Sequence, residues 1–334
     1  MARILITPRS FRKIDGPHRR ILIDAGYEIV ESPSERPLSA AELTPLVSDV
    51  VGAILGLDEF TAEVFDQAGR LKVVSRFGVG VDKVALAAAT AHGVVVTITP
   101  GANTVAVAEL TMGLILALVR RLPYHNRIVR EGQWTPVSGF ELCDGVLGLV
   151  GMGNIGREVA KRAVGFGMRI VYHDPVAPPQ PLLASLGASY RSLDDLLAES
   201  DVVSLHLPLT GDTQNLIDRR ALARMKPSAF LINTSRGGLI DEQALYEALA
   251  QGRLAGAACD AFTQEPPGDN PLLGLDNFIA TPHIGSATLQ TTLRMGLMAS
   301  QNALAVLRGE RPAHVVNPEV YGSLPQRRGE RGET

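Results

Sequence analysis

The sequence is short of several features that define other classes of protein. It has only two cysteines in 334 residues, Cys143 and Cys259, which predicts neither a disulfide framework nor a cysteine metal site. Both lie in apolar surroundings, so we expect each to be a small core residue. The net charge of −3 provides no basic field for nucleic acid or for an anionic membrane. The scarcity of cysteine favours a reducing compartment, and we expect the cytoplasm.

Long hydrophobic runs are also missing. The longest apolar helical segment, residues 110–119, is too short to span a bilayer, and residues 1–6 lead directly into a strand. We therefore expect neither a transmembrane helix nor a signal peptide. A hydrophobic content of 46% and a charged content of 20% are ordinary for a globular protein. The length predicts one large or two medium domains.

Strand and helix patterns alternate along most of the chain. Predicted strands are 4–7, 27–31, 51–55, 73–75 and 94–96 in the first part, and 146–150, 168–173, 202–207, 229–233, 255–259 and 278–280 in the second. Such alternation predicts parallel sheets with right-handed crossovers. Two longer helices are predicted at about 104–121, where we expect Pro123 to stop the helix, and at 288–308.

The most informative stretch is a glycine-rich turn between a strand and a helix. Gly151, Gly153 and Gly156 follow strand 146–150 with the spacing G-x-G-x-x-G. The first glycine permits a tight turn, the second lets a pyrophosphate approach, and the third lets helix and strand pack closely. Asp174 comes at the end of the next strand. A carboxylate there can accept a hydrogen bond from the ribose hydroxyl of NAD and repels the 2′-phosphate of NADP. The pattern predicts a dinucleotide site that prefers NAD to NADP.

Three isolated polar residues follow strands of the second part. Arg236, Glu265 and His283 each come just after a predicted strand, and in doubly wound sheets that end of the strands carries the ligands. Taken one at a time, each has a purely structural explanation: Arg236 could be a solvated charge, Glu265 a loop carboxylate and His283 a turn histidine. Together they suit a site in which an arginine binds a carboxylate and a histidine exchanges a proton. A nearby Glu265 would stabilise the imidazolium form of His283.

Four motifs carry a family resemblance: residues 151–156, 233–238, Asp260 with 265–267, and 281–285. With them, nearly the whole chain resembles the D-isomer-specific 2-hydroxyacid dehydrogenases. Residues 7–11, 76–82 and 100–103 are most similar to the D-3-phosphoglycerate dehydrogenase branch. The resemblance implies an NAD-dependent enzyme that oxidises 3-phosphoglycerate to 3-phosphohydroxypyruvate, a reaction of serine biosynthesis.

The resemblance also implies the residues of the site. Arg236, Glu265 and His283 would be catalytic, with His283 paired to Glu265 and protonating the substrate oxygen. The implied cofactor-binding residues are Gly151, Gly153, Asn154, Ile155, Gly156, Asp174, His206, Pro208, Thr213, Thr234, Asp260 and Gly285. The implied substrate-binding residues are Arg76, Gly78, Val79, Gly80, Asn103, Arg236 and His283. The alternative role for Asp260 is a helix cap, and no metal is expected.

The implied fold class is α/β, with two doubly wound parallel-sheet domains joined by two crossover helices. A flavodoxin-like substrate domain would comprise residues 1–102 and 290–322, a Rossmann NAD domain 103–289, and a disordered tail 323–334. Closure of a cleft between the domains is also implied. The family's dimers predict a homodimer or higher homo-oligomer, with an arm near Trp134. A local core anchor is the alternative for Trp134.

The resemblance to phosphoglycerate dehydrogenases weakens after the third strand. Those enzymes commonly place an arginine there to meet the substrate phosphate, whereas residues 54–58 of this chain include no basic side chain. Arg76 remains, and Arg9, Arg12 and Lys13 could contribute. A hydroxypyruvate or glyoxylate reductase is therefore an alternative. An alternative of another class is an NAD(H)-sensing binding protein resembling the C-terminal-binding corepressors.

Overall fold

The computed structural model describes residues 1–323, and the chain divides into two compact α/β units. The first unit comprises Met1–Asn103 and the chain from Ala287 onward, and the second comprises Thr104–Ser286. Apart from Ser323, the predicted disordered tail 323–334 lies outside the described residues.

Twelve strands and fourteen α-helices are present in residues 1–323. The strands are β1 (Arg3–Ile6), β2 (Glu28–Glu31), β3 (Gly52–Leu55), β4 (Val73–Arg76), β5 (Val95–Thr97), β6 (Val146–Val150), β7 (Arg169–His173), β8 (Ser189–Tyr190), β9 (Val202–Leu205), β10 (Phe230–Asn233), β11 (Gly256–Cys259) and β12 (Phe278–Ala280). The helices are α1 (Arg9–Lys13), α2 (Pro17–Asp24), α3 (Ala40–Val47), α4 (Ala62–Gln67), α5 (Leu86–Ala91), α6 (Thr104–Val119), α7 (Leu122–Arg130), α8 (Asn154–Gly165), α9 (Gln180–Leu186), α10 (Leu193–Glu199), α11 (Arg219–Leu222), α12 (Glu242–Ala250), α13 (Leu289–Leu307) and α14 (Val320–Ser323). A 3-10 helix spans Pro271–Gly274.

The first unit is built on a five-stranded parallel sheet. Its strand order is β2-β1-β3-β4-β5, the order of flavodoxin-like folds. Every residue of β3 and β4 is buried, as expected when helices cover both faces of a parallel sheet. Helix α13 packs against α2 and β4 of this unit, and beyond it Val316 N–H donates to Val96 O at the β5 edge (2.9 Å). The two ends of the chain therefore build one core.

The second unit contains a seven-stranded parallel sheet. Its order is β12-β11-β10-β9-β6-β7-β8, so the first strand of the unit, β6, lies beside the fourth, β9, as in a Rossmann fold. All residues of β6, β9, β10 and β11 are buried. The prediction of two doubly wound parallel sheets is confirmed.

Two local predictions and one alternative are wrong. Helix α6 ends at Val119, not at 121, and Arg121 adopts a left-handed φ of 51°. Pro123 then lies in the first turn of α7, where a proline is tolerated because its missing N–H would have no helical partner. Cys143 is exposed, whereas Cys259 is buried as expected. Trp134 is 86% exposed, which excludes a local core anchor, and its intersubunit role stays a prediction.

Candidate functional site

The glycine-rich turn lies where the strand order of the second sheet reverses. Gly151 follows β6 with φ +96°, and a Cβ atom there would lie 2.3 Å from His206 O, just after β9. His206 N–H donates to Val150 O (2.7 Å), which holds the two strand ends together. In open α/β sheets, this crevice is the usual ligand site. Glycine is required at 151 because any side chain would strike the neighbouring backbone.

The start of α8 is shaped to receive an anion. A Cβ atom at Gly156 would lie 2.3 Å from Gly151 O, so this glycine lets the helix pack onto the turn. Gly153 is the N-cap, and a Cβ atom there would meet nothing within 4 Å. Asn154 and Ile155 begin the helix, and their amides have no partner within the helix. Open space above first-turn amides fits a dinucleotide pyrophosphate.

Asp174 is fixed beside this turn at the end of β7. Its Oδ2 accepts from Met152 N–H (2.7 Å), and its Oδ1 accepts from Val176 N–H (2.8 Å). These two bonds hold the half-buried carboxylate between the glycine turn and the loop after β7. A carboxylate in this place can accept a ribose hydroxyl but repels a 2′-phosphate.

Cofactor preference follows from this carboxylate. We expect kcat/KM with NADH to exceed that with NADPH by at least about tenfold, because each 1.4 kcal/mol of repulsion costs a factor of ten. Asp174→Ser should narrow the ratio by improving use of NADPH. Steady-state kinetics with both cofactors on the same preparations measure this, and equal or better use of NADPH by the wild type would contradict it.

The segment after β9 contains three further predicted cofactor residues. His206 Nε2 lies 2.9 Å from Ser204 Oγ, while His206 Nδ1 is buried with no hydrogen-bond partner among residues 1–323. Burial lowers the pKa of His206 to about 3, so its imidazole is neutral. Thr213 Oγ1 donates to Pro208 O (2.8 Å) and closes a turn. Contact of these residues with the cofactor stays a prediction.

A network of short polar side chains shapes the loop that carries Arg236. Asn233 bridges the loop, since its Oδ1 accepts from Ser235 N–H (3.0 Å) and its Nδ2 donates to Arg236 O (2.7 Å). Ser235 Oγ donates to Leu205 O at the end of β9 (2.7 Å). Thr234 is buried and pairs its hydroxyl with that of Thr111 on α6 (2.8 Å). The loop is therefore tied to its own sheet and to a helix, which leaves Arg236 half-buried on a rigid support.

Gly237 brings this loop against the next one. A Cβ atom at Gly237 would lie 1.9 Å from the carbonyl carbon of Phe262, in the loop after β11. No residue with a side chain could occupy the position without moving one of the loops. The arginine loop and the loop that carries Glu265 are thus in direct backbone contact.

The structure brings His283 and Glu265 into a hydrogen-bonded pair. His283 Nδ1 lies 2.9 Å from Glu265 Oε1 and 3.0 Å from Oε2, and the side chains are 24% and 23% exposed. Phe262 N–H also donates to Glu265 Oε1 (3.1 Å). His283 has a left-handed φ of +53°, uncommon for a residue with a side chain and typical of functional turns. A histidine bonded at Nδ1 to a carboxylate can present Nε2 as an acid or base.

Asp260 holds the turn on which His283 stands. Its Oδ1 accepts from Thr281 Oγ1 (2.6 Å) and Ile284 N–H (2.8 Å), and its Oδ2 accepts from Gly285 N–H (2.8 Å). Burial is the largest influence on this carboxyl group and raises its pKa above the usual value. The helix-cap alternative is wrong, because these partners belong to the 281–285 turn. The contact of Asp260 with the cofactor stays a prediction.

In the first unit, the predicted substrate residues form an exposed turn after β4. Gly78 has φ +147°, and its N–H donates to Thr99 Oγ1 (3.0 Å). Arg76 is only 5% exposed, and it donates from Nε to Gly80 O (2.8 Å) and from Nη1 to Leu55 O (2.8 Å). Arg76 therefore supports the turn. Val79 is exposed at the turn's tip, where successive amides can bind an anion.

Asn103, at the end of the first stretch of this unit, has a buried Oδ1. That atom has no hydrogen-bond partner within residues 1–323. A buried acceptor without a partner costs free energy, so this amide is suited to receive a donor from a bound molecule.

Sequence patterns missed several supporting residues. Thr99, Thr281 and Glu242 each bond to a loop of the site, and only their position near a strand end or helix start marks them in the sequence. No group of histidine, cysteine and acidic residues in the described chain could hold a metal ion. No helix within residues 1–323 combines the length and apolar character needed to cross a membrane.

Comparison with known proteins identifies close relatives. Residues 112–285 match the model of the D-isomer specific 2-hydroxyacid dehydrogenase, NAD binding domain. The chain is 42% identical over 327 residues to a glyoxylate reductase of Korarchaeum cryptofilum, covering 95% of this chain and 98% of that protein. It is 41% identical over 294 residues to a D-3-phosphoglycerate dehydrogenase of Methanocaldococcus jannaschii, covering 87% of this chain and 56% of the relative.

Solved structures agree with these relatives. The TT0316 protein of Thermus thermophilus superimposes with a TM-score of 0.85 at 43% identity, covering 94% of this chain and 99% of that one. A D-lactate dehydrogenase of Aquifex aeolicus, solved with NAD and lactic acid, gives a TM-score of 0.82 at 30% identity, with 94% and 99% covered.

Proposed function

We propose that this chain, which belongs to the D-isomer-specific 2-hydroxyacid dehydrogenase family and is an NAD-dependent oxidoreductase, reduces a short unphosphorylated 2-oxo acid. Glyoxylate and hydroxypyruvate are the substrates we favour over 3-phosphohydroxypyruvate. The observation that carries this choice is the carboxylate of Asp58, which lies after β3 where phosphoglycerate dehydrogenases commonly place an arginine.

Asp58 occupies the switch point of the first sheet, between the ends of β1 and β3. It is 3% exposed, its Oδ1 accepts from Leu38 N–H (2.8 Å), and its Oδ2 accepts from Gly56 N–H (3.0 Å) and from the Thr7 hydroxyl. The backbone donors that could receive a phosphate are thus already bound to a carboxylate. A substrate phosphate here would meet a charge of its own sign.

The basic side chains considered as phosphate ligands are engaged elsewhere in the first unit. Arg9 and Lys13 form ion pairs with Glu35 (2.6 and 3.2 Å). The Lys13 hydrogen bond is the main reason that the pKa of Glu35 is lowered. Arg12 donates to the carbonyls of Ser32 (2.9 Å) and Ser34 (2.5 Å). Together with Arg76, which donates to two carbonyls, this arrangement favours a substrate without a phosphate.

The chemistry uses the residues of the second unit. NADH, when bound at the glycine turn, supplies the hydride. His283 donates a proton from Nε2 to the substrate's carbonyl oxygen, and Glu265 fixes the imidazole ring through Nδ1. Arg236 binds the substrate carboxylate and orients the carbonyl group that is reduced. The product is a 2-hydroxy acid, which is achiral glycolate from glyoxylate and D-glycerate from hydroxypyruvate.

A substrate panel tests the proposal. We expect kcat/KM for glyoxylate or hydroxypyruvate to exceed that for 3-phosphohydroxypyruvate by about 100-fold or more, since like charges brought together cost several kcal/mol. Asp58→Asn keeps the side-chain shape and removes the charge. It should therefore raise kcat/KM for 3-phosphohydroxypyruvate relative to that for the unphosphorylated acids. Because both kcat/KM values are measured on one preparation of each variant, any loss of folded protein affects them equally and cancels from their ratio. Preference for the phosphorylated acid would establish a phosphoglycerate dehydrogenase instead.

A further inference from the structure

We infer that Glu242, the first residue of α12, is a positioning residue that sets the place of Glu265 for proton transfer by His283. Glu242 Oε1 accepts from Thr263 N–H (2.7 Å), and Oε2 accepts from Asn270 Nδ2 (2.6 Å). Its two carboxylate oxygens therefore bind two points of one loop. The inference rests on the proposed roles of His283 and Glu265.

The bonds of Glu242 flank Glu265 along the chain. Thr263 precedes Glu265 by two residues and Asn270 follows it by five. Asn270 is itself anchored, because its Oδ1 accepts from Leu272 N–H at the start of the 3-10 helix (3.0 Å). A carboxylate that ties down both sides of a loop restricts where the residue between them can lie.

Helix α12 does not use Glu242 as its cap. Asp241 is the N-cap, and its Oδ1 accepts from Ala244 N–H (3.0 Å). In α3, by contrast, Glu42 reaches back to Ser39 N–H in a capping box (3.0 Å). Glu242 is the first residue of α12 and not the third, so it does not have the place of Glu42, and both of its carboxylate oxygens bond to the loop.

The loop is also supported from its other side. Gly237 lies against the Phe262 backbone, and Phe262 N–H donates to Glu265 Oε1. The loop is thus held between the arginine loop and α12. Without Glu242, the Gly237 contact would remain, but the segment after Phe262 would lose the hydrogen bonds that Thr263 and Asn270 donate to it. Small errors in the placement of catalytic groups are costly, and a shift of 1 Å can reduce rates about 100-fold.

The test compares variants of the full-length chain with NADH and glyoxylate. We expect Glu242→Ala to lower kcat by about 10- to 100-fold, with little change in the Kd for NADH measured by fluorescence or in the KM for glyoxylate. Glu242→Gln keeps an acceptor for Thr263 N–H and should give a smaller loss of about 3- to 10-fold. Glu247→Ala is the matched control, because this carboxylate of the same helix pairs with Arg219; it should behave as the wild type.

A double-mutant cycle separates positioning from a general loss of structure. If Glu242 acts through Glu265, then Glu242→Ala should cost nothing further in a Glu265→Ala background. A full additional loss in the double variant would overturn the inference, as would wild-type kcat in Glu242→Ala. Should Glu242→Ala not fold, wild-type kcat in Glu242→Gln would overturn it. Wild-type kcat in Glu265→Ala alone would instead refute the proposed role of Glu265, so the two failures are distinguishable.

Discussion

Replacing His283 with alanine is expected to lower kcat by about 10²- to 10⁴-fold, the usual contribution of a positioned general acid. The imidazole is the group bonded to Glu265 (2.9 Å), and alanine leaves nothing at that point to protonate the carbonyl oxygen of the substrate. The glycine turn is a separate element of the same unit, so NADH should still bind. Stopped-flow reduction of glyoxylate and fluorescence titration of NADH measure the two quantities.

His92→Ala provides the matched control for that variant. His92 is an exposed histidine of the first unit, paired with Asp66 (2.9 Å), and its removal should leave kcat unchanged. Turnover of His283→Ala at the wild-type rate would refute the acid role. A parallel loss of NADH binding would instead show that the substitution had disturbed the second unit as a whole.

Replacing Gly151 with alanine is expected to destabilise the protein by about 2–4 kcal/mol even without cofactor. The new Cβ would lie 2.3 Å from His206 O, and φ at this position is +96°. Alanine at a left-handed position is strained, and overpacking a rigid backbone contact adds to the cost. Chemical denaturation of the cofactor-free protein gives the free energy of unfolding.

Gly153→Ala separates folding from binding at the same turn. A Cβ at Gly153 meets no atom within 4 Å, so stability without cofactor should be nearly that of the wild type. The added methyl would occupy the open space above the α8 amides, and we expect the Kd for NADH to rise about 10- to 100-fold. Equal stability of the two variants, or unchanged NADH binding by Gly153→Ala, would contradict this account of the turn.

The fold class could be predicted because the patterns that indicate it each involve residues close together in the chain. The spacing of Gly151, Gly153 and Gly156 marks a strand–turn–helix junction, and apolar runs such as 146–150 mark strands buried on both faces. Less regular segments were not predicted. Helix α7 was missed because Pro123 indicates an ending when read alone, whereas the left-handed Arg121 had already ended α6.

The sequence by itself determined the two doubly wound sheets and the dinucleotide turn. It also identified Arg236, Glu265 and His283 as candidate catalytic residues. Each of these results depends only on residue type and on position relative to a strand end. Only the tertiary structure decided which loops meet. Three contacts of the site join residues that are far apart in the chain. They are the contact of Gly237 with Phe262, the bonds of Asp260 to the 281–285 turn and the bonds of Glu242 to the loop after β11. Such contacts depend on how parallel strands are ordered in a sheet, which no local pattern specifies.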